Sequence, residues 1–138
     1  MTLQAAITQL QTTLGAIVGI RAAPEYPLDK STVYPILDAY AGPGQYSAGE
    51  PAGMMKFLGS IIVDLHISLK DLPRDVEKAM PYHDSIPNEI LNDTTIGGTV
   101  STCGPVRTSG LIYMKYGEQD TIGIRFTIDN VKIQSDLT

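Results

Sequence analysis

The chain lacks the residues on which several classes of function depend. Among its 138 residues there is no tryptophan and one cysteine, Cys103. A single cysteine excludes a disulfide within the chain and supplies too few thiolates for a cysteine-based zinc site. Basic residues are also in the minority, ten against fifteen acidic ones, for a net charge of -5. This balance argues against a protein that wraps nucleic acid through clustered lysine and arginine.

Long apolar runs are absent as well. Near the amino terminus, Gln or Thr interrupts the apolar side chains at every second or third position. No basic region precedes an apolar core there. We therefore predict neither a signal peptide nor a membrane span, and expect an intracellular soluble protein. A chain of this length with 43% hydrophobic residues is typical of one domain, residues 1–138, with one core.

The strongest pattern present is in residues 56–75, KFLGSIIVDLHISLKDLPRD. Between residues 61 and 69 most of the apolar side chains share one parity and the polar side chains share the other. This alternation predicts a long, half-buried β-strand. Pro73 then removes a ladder donor and suits the first turn of a helix, so we expect the strand to lead directly into a helix.

The amino-terminal residues 3–18 have apolar side chains at spacings of three and four, including Val18. This spacing predicts an α-helix, for which Thr2 is the N-cap. The opposite face carries Gln and Thr, with no charge before Arg21. Two interpretations stay open, a neutral face in contact with solvent and a face that lies against another subunit.

Residues 32–41, TVYPILDAYA, are rich in strand formers and predict a strand, although Pro35 restricts it to an edge, a bulge or a broken strand. The next stretch, residues 42–55, holds four glycines and two prolines without apolar periodicity. We predict a mobile surface loop there. Its apolar residues Tyr46, Met54 and Met55 indicate a docking element, and a flexible hairpin end is the alternative.

Residues 72–92 predict a pair of short helices, the first ended by Pro81 and the second opened by Pro87. Met80 is expected on the apolar side of the first helix, and Leu91 is expected to turn inward in the second.

The preceding stretch, residues 71–75, is interpreted as a structural corner between strand and helix. Asp75 lies where a helix N-terminus favours negative charge, and that effect accounts for Asp75 and Glu77 without a metal ion. Arg74 pairs either with Asp71 in the same chain or with an acid of a neighbouring subunit. For this reason Asp71, Arg74 and Asp75 are candidate interface residues.

Two strands are predicted near the carboxyl terminus, residues 106–116 and 121–134, joined by a turn into a hairpin. A change of parity at Asp129 and Asn130 predicts a bulge or turn within the second strand. The fold class expected is α+β, a mostly antiparallel sheet packed against an amino-terminal helix and a short helix pair.

No catalytic motif is found in the sequence. His66 and His83 lack metal-ligand spacing, and the glycine pairs do not form a phosphate loop. The only convergent polar set is His66, Asp64 and Lys70, which would serve a small-ligand-binding or enzymatic domain. Because they alternate along one strand, a solvated sheet face is the favoured interpretation. We expect no enzyme activity, no cofactor and no metal site.

The order of elements and three stretches resemble the small tail-terminator and tail-completion proteins of long-tailed bacteriophages. The stretches are Tyr34-Pro35 with the glycine-rich segment after it, IIVDLHISLKDLPRDVEKAMPY at 61–82, and DTIGIRFTIDNVKI at 120–133. The resemblance covers most of the chain.

The resemblance implies a virion protein of the tail or neck region, made in the host cytoplasm. It implies a ring, usually a hexamer, that caps the tail tube and meets the head-side connector, with DNA passing through the lumen without specific recognition. A neck or head-tail connector protein is the alternative within the same virion region.

Overall fold

The computed structural model describes residues 2–21, 23, 34–48 and 53–136. Within them the order of elements is helix, two strands, helix, two strands. Their bounds are α1 Leu3–Gly15, β1 Ile36–Ala48, β2 Met54–Ser68, α2 Leu72–Asn92, β3 Val106–Tyr116 and β4 Gln119–Asp136. Neither α1 nor α2, the helices of this part of the chain, has the length and hydropathy needed to cross a membrane.

The four strands form one sheet in the order β1-β2-β4-β3, and each neighbouring pair is antiparallel. The expected α+β class with an antiparallel sheet is therefore confirmed. The strand predicted in residues 56–75 is β2, which lies inside the sheet and pairs on both sides. The two outer strands, β1 and β3, have no strand of the described residues on their far edges.

Helix α1 begins as predicted, because the Thr2 side chain accepts a hydrogen bond from the Ala5 N–H at 3.1 Å. It ends at Gly15, earlier than the predicted limit at residue 18. Val18 lies beyond the helix and is 94% exposed, so its assignment to the apolar stripe was wrong. On the neutral face, a Cβ at Gly97 would lie 2.9 Å from Gln9 Cγ, so the turn at residue 97 packs against part of this face.

The prediction of a loop in residues 42–55 was wrong for most of its length. Strand β1 continues to Ala48 and β2 begins at Met54, while residues 49–52 lie outside the described residues. Gly44 faces Gly59 across the two strands, and a Cβ on either would lie within 2.8 Å of the other Cα. Glycine thus permits two backbones to approach closely here, and it does not signal a loop.

Ser60 of β2 lies opposite a bulge in each neighbouring strand. In β1 the register skips two residues, one of which is Pro43. In β4 it skips Asp129 and Asn130. The predicted bulge at Asp129 and Asn130 is confirmed, and Asn130 has φ 53°. Pro43 is tolerated because a bulged residue donates no ladder hydrogen bond.

Helix α2 is continuous through Pro81 and Pro87, so the predicted break into two helices was wrong. Its buried residues are spaced by three and four on both sides of each proline. These residues are Asp75, Ala79, Tyr82, Ile86 and Ile90. Met80 and Leu91, both expected to face inward, are 49% and 50% exposed. One continuous apolar stripe packed on the sheet outweighs the two missing N–H donors.

The hydrophobic core lies between the helices and one face of the sheet. Alternate residues of the strands, such as Leu37, Ile61 and Ile124, meet the apolar stripes of α1 and α2 there. The opposite face carries the other parity, and neither helix packs on it. This helix-free face holds the buried polar residues described next.

Candidate functional site

The predicted docking residues lie at the far end of the β1–β2 hairpin. Tyr46 of β1 is 58% exposed, and its ring lies 4.8 Å from that of Phe57, its partner in the register. Met54 and Met55 belong to β2, pair with the end of β4 and are half-buried. The structure therefore places these three residues at one end of the sheet, on paired strands.

The predicted corner at residues 71–75 connects β2 to α2. The Asp75 side chain is only 3% exposed, and its Oδ2 accepts hydrogen bonds from the backbone N–H groups of Lys70 at 2.9 Å and Asp71 at 3.0 Å. Arg74 lies 3.5 Å from Asp71 within the same chain, and both side chains are exposed. Asp75 thus holds the corner together, while Arg74 and Asp71 lie on the surface.

A cluster of polar side chains, mostly buried, lies on the helix-free face of the sheet, and we call it the sheet-face cluster. Its members are Asp38, Tyr40, Asp64, His66, Thr121 and Arg125. They come from β1, β2 and β4, and their register places Asp38 beside Asp64 and Asp64 beside Arg125.

Asp64 is the centre of the cluster, since both of its oxygens accept hydrogen bonds. Tyr40 Oη donates to Oδ2 at 2.8 Å, Arg125 Nε donates to Oδ1 at 2.8 Å, and Arg125 Nη2 donates to Oδ2 at 3.2 Å. Burial, together with the bond to Asp64, raises the pKa of Tyr40 to about 12. The bond to Asp64 also raises the pKa of Arg125. Through the hydrogen bonds of Tyr40 and Arg125, the Asp64 side chain links β1, β2 and β4.

Asp38 is in a different environment although it faces Asp64. It is 7% exposed, and its Oδ1 is buried without a hydrogen-bond partner in the described part of the chain. Burial, followed by the charge of Asp64, raises the pKa of Asp38 from 3.8 to about 6. With Asp38 ionised the two carboxylates and one guanidinium carry one excess negative charge, and with Asp38 protonated the charges balance.

His66 occupies the end of the cluster near the β3–β4 turn. Its Nδ1 lies 2.8 Å from Thr121 Oγ1, and the Tyr116 ring lies edge-on at 5.3 Å. Burial lowers the pKa of His66, although the charge of Asp64 acts in the opposite direction. The ring is therefore neutral at pH 7 and contributes packing and one polar contact.

The candidate set His66, Asp64 and Lys70 does not converge. Asp64 and His66 are 4% and 2% exposed, so the interpretation of a solvated sheet face was wrong. Lys70 is exposed beyond the end of β2, and Asp64 has both oxygens occupied. Across the described ranges no group of three or more His, Cys, Asp or Glu side chains is arranged to hold a metal ion. In this arrangement Asp38 can bind and release one proton, and the hydrogen bonds of Asp64 hold the strands together.

Sequence reasoning missed Asp38, Tyr40 and Arg125. The available signal was parity, because Asp38 and Tyr40 alternate in β1 and Arg125 is the one charged residue between Ile122 and Ile128. Parity places a residue on a face, but it does not show which residues of distant strands lie side by side. Asp64 and Arg125 are separated by 61 residues and meet only through the register of β2 and β4.

Comparison with protein-family models and with curated proteins finds no match to this chain. Function is therefore inferred from the residues, their placement and the resemblance noted above.

Proposed function

We propose that this chain is a structural virion protein that forms a ring on the tail tube of a long-tailed bacteriophage and joins the tail to the head-side connector. The resemblance in residues 61–82 and 120–133 supports this proposal. The observation that carries it is the four-stranded sheet, whose outer strands, β1 and β3, lie at opposite edges with no further strand of the described residues beside them.

Two unequal edges on one subunit favour head-to-tail association. An edge strand presents unpaired N–H and C=O groups, which pair readily with a strand of another chain. When one kind of edge meets the other kind on the next copy, the contacts repeat, and a suitable rotation per subunit closes them into a ring. The exposed strand end around Tyr46 then projects from the ring as a contact for the tube or the connector.

Mass photometry at micromolar concentration tests the ring, with the protein alone and with purified tail tubes. We expect a species several times the 14.9 kDa subunit mass, either free or on the tubes. A strict monomer under both conditions would contradict the proposal. Binding to isolated connectors but not to tubes would favour the neck-protein alternative.

A further inference from the structure

A second polar feature adjoins the His66 end of the sheet-face cluster, where the end of β2 meets the start of α2. A cavity of about 210 Å³ opens there, and its lining includes the basic side chains Arg21, Lys70 and Lys78 together with Ser68 and Asp75. Lys70 and Lys78 belong to one stretch, from the end of β2 into α2, whereas Arg21 follows α1. The fold brings Arg21 beside the other two cations.

These cations have no carboxylate partner in the described residues. Nine basic side chains lie in those residues and four of them form ion pairs, all outside this cavity. Three of the remaining five line it, in a chain whose net charge is -5. Like charges gathered in one cavity repel one another, and an anion between them removes that repulsion.

Asp75, the one carboxylate among the described lining residues, does not neutralise the three cations. Asp75 Oδ2 already accepts hydrogen bonds from the backbone N–H groups of Lys70 and Asp71. Counting its charge, the lining residues that the structure describes carry two excess positive charges. Ser68 adds a hydroxyl that makes no hydrogen bond within the described residues, so it is available as a donor.

We propose that this cavity binds an oxyanion of the phosphate class. A phosphate monoester or inorganic phosphate carries a charge of about -1.5 to -2 at pH 7, which matches the excess of the lining. A single carboxylate would leave half of that excess uncompensated. Arg21 offers the planar fork that pairs with two phosphate oxygens, and the lysines act as point charges. The site does not depend on ring formation.

Titration calorimetry at pH 7 and low ionic strength tests the site, with sodium phosphate and sodium sulfate as ligands and chloride at matched ionic strength as the reference. The variants are Arg21→Gln, Lys70→Gln and Lys78→Gln. Lys56→Gln and Lys132→Gln are matched controls, because these lysines also lack a carboxylate partner in the described residues but lie outside the cavity. All five side chains are exposed, and the melting temperature in chloride verifies folding.

We expect heat of binding for phosphate and sulfate beyond that of chloride. Each cavity variant should raise the Kd about fivefold or more, whereas each control should change it less than about twofold. A response no larger than that of chloride would overturn the proposal. Equal effects of Lys56→Gln and Lys78→Gln would also overturn it, because they would indicate general screening by surface charge.

Two further ligands distinguish the sources of the phosphate group. A 5′-mononucleotide presents a terminal phosphate, and an oligonucleotide without terminal phosphates presents only phosphodiesters. Competition by the mononucleotide supports a terminal or free phosphate. If the oligonucleotide competes with phosphate and this competition is lost in Lys70→Gln, the result supports the nucleic-acid backbone as the source of the phosphate group. Failure of both to compete with inorganic phosphate would contradict a site open to phosphate esters.

Discussion

At the level of single residues, burial separates two arginine–aspartate pairs that have the same geometry. Arg125 binds Asp64 through Nε and Nη2, and Arg107 binds Asp129 through the same two atoms. The Asp64 side chain is 6% exposed, whereas that of Asp129 is 25% exposed beside an arginine that is 67% exposed. An ion pair in contact with water contributes little, while removing one partner of a buried pair leaves a charge without compensation.

Arg125→Ala is therefore expected to lower the free energy of unfolding by about 2–4 kcal/mol, a value reduced because the guanidinium is partly exposed. Arg107→Ala removes the same number of hydrogen bonds and is expected to change the free energy of unfolding far less, because this pair is in contact with water. Urea denaturation followed by circular dichroism measures both. Equal losses would show that Asp64 is better solvated than its burial indicates.

Asp38→Asn is expected to stabilise the subunit at pH 7. The substitution keeps the size of the side chain and removes the charge that burial and Asp64 disfavour. A shift from 3.8 to about 6 corresponds to about 3 kcal/mol of stability lost when Asp38 ionises in the folded state. Chemical denaturation at pH 7 compares the two proteins. Asp64→Asn should destabilise instead, because it removes the charge that pairs with Arg125 and one of the two oxygens that accept from Tyr40 and Arg125.

The pH dependence of the same comparison has a defined sign. The folded-state pKa of Asp38 lies above its unfolded value, so its stabilising contribution is complete below pH 3.8 and is lost as the pH rises through about 6. The advantage of Asp38→Asn should thus be largest above pH 6 and vanish near pH 4. The pKa of His66 is lowered in the folded state, so the stability that His66 contributes is lost as the pH falls below 6.5. Both proteins contain His66, so this contribution cancels in the comparison. An advantage independent of pH would contradict this assignment.

At the level of elements, α2 retains two prolines that work against its own helical structure. Pro81 and Pro87 lie inside the helix, each removing one N–H donor, while the residues that face the core keep their spacing. Pro73 is at the start of the helix, where its missing N–H has no partner to lose.

Pro81→Ala is expected to raise the free energy of unfolding by about 1–3 kcal/mol, because it restores a backbone hydrogen bond in the helix interior. Pro73→Ala is the control and should change stability by less than about 0.5 kcal/mol. Thermal and urea denaturation of both variants provide the measurement. No gain in Pro81→Ala would indicate that the packing of α2 on the sheet requires the bend that proline introduces.

At the level of the whole molecule, assembly depends on what happens at the edges of the sheet. Tyr46 in β1 and Tyr113 in β3 are 58% and 68% exposed on the two edge strands. Lysine on an edge strand opposes pairing with another strand, since its charge would have to be desolvated.

Tyr46→Lys and Tyr113→Lys are expected to leave the subunit folded and to reduce the fraction of ring measured by mass photometry at least about tenfold. Asn88→Lys, at an exposed position of α2, is the control for added charge. Loss of ring in the control as well would assign the effect to net charge. Unchanged assembly in both tyrosine variants would exclude edge pairing as the mode of association.

Short patterns in the sequence were sufficient to predict helix α1, most of the strand segments and the class of the fold. The parity of residues 61–69, the spacing of three and four in α1, the cap at Thr2 and the bulge at Asp129 and Asn130 each depend on neighbours a few residues apart. Local backbone geometry is decided by such neighbours, and hence it could be inferred without the tertiary structure.

Three features were decided only by contacts between distant parts of the chain. The glycine-rich end of β1 is a strand because Gly59 lies opposite Gly44, and α2 continues through its prolines because its apolar stripe packs on the sheet. Asp64 is buried because β4 brings Arg125 beside it. Composition predicted a loop, a break and a solvated face at these positions, since propensity measures the local cost of a conformation but not the packing and pairing energy that offsets it.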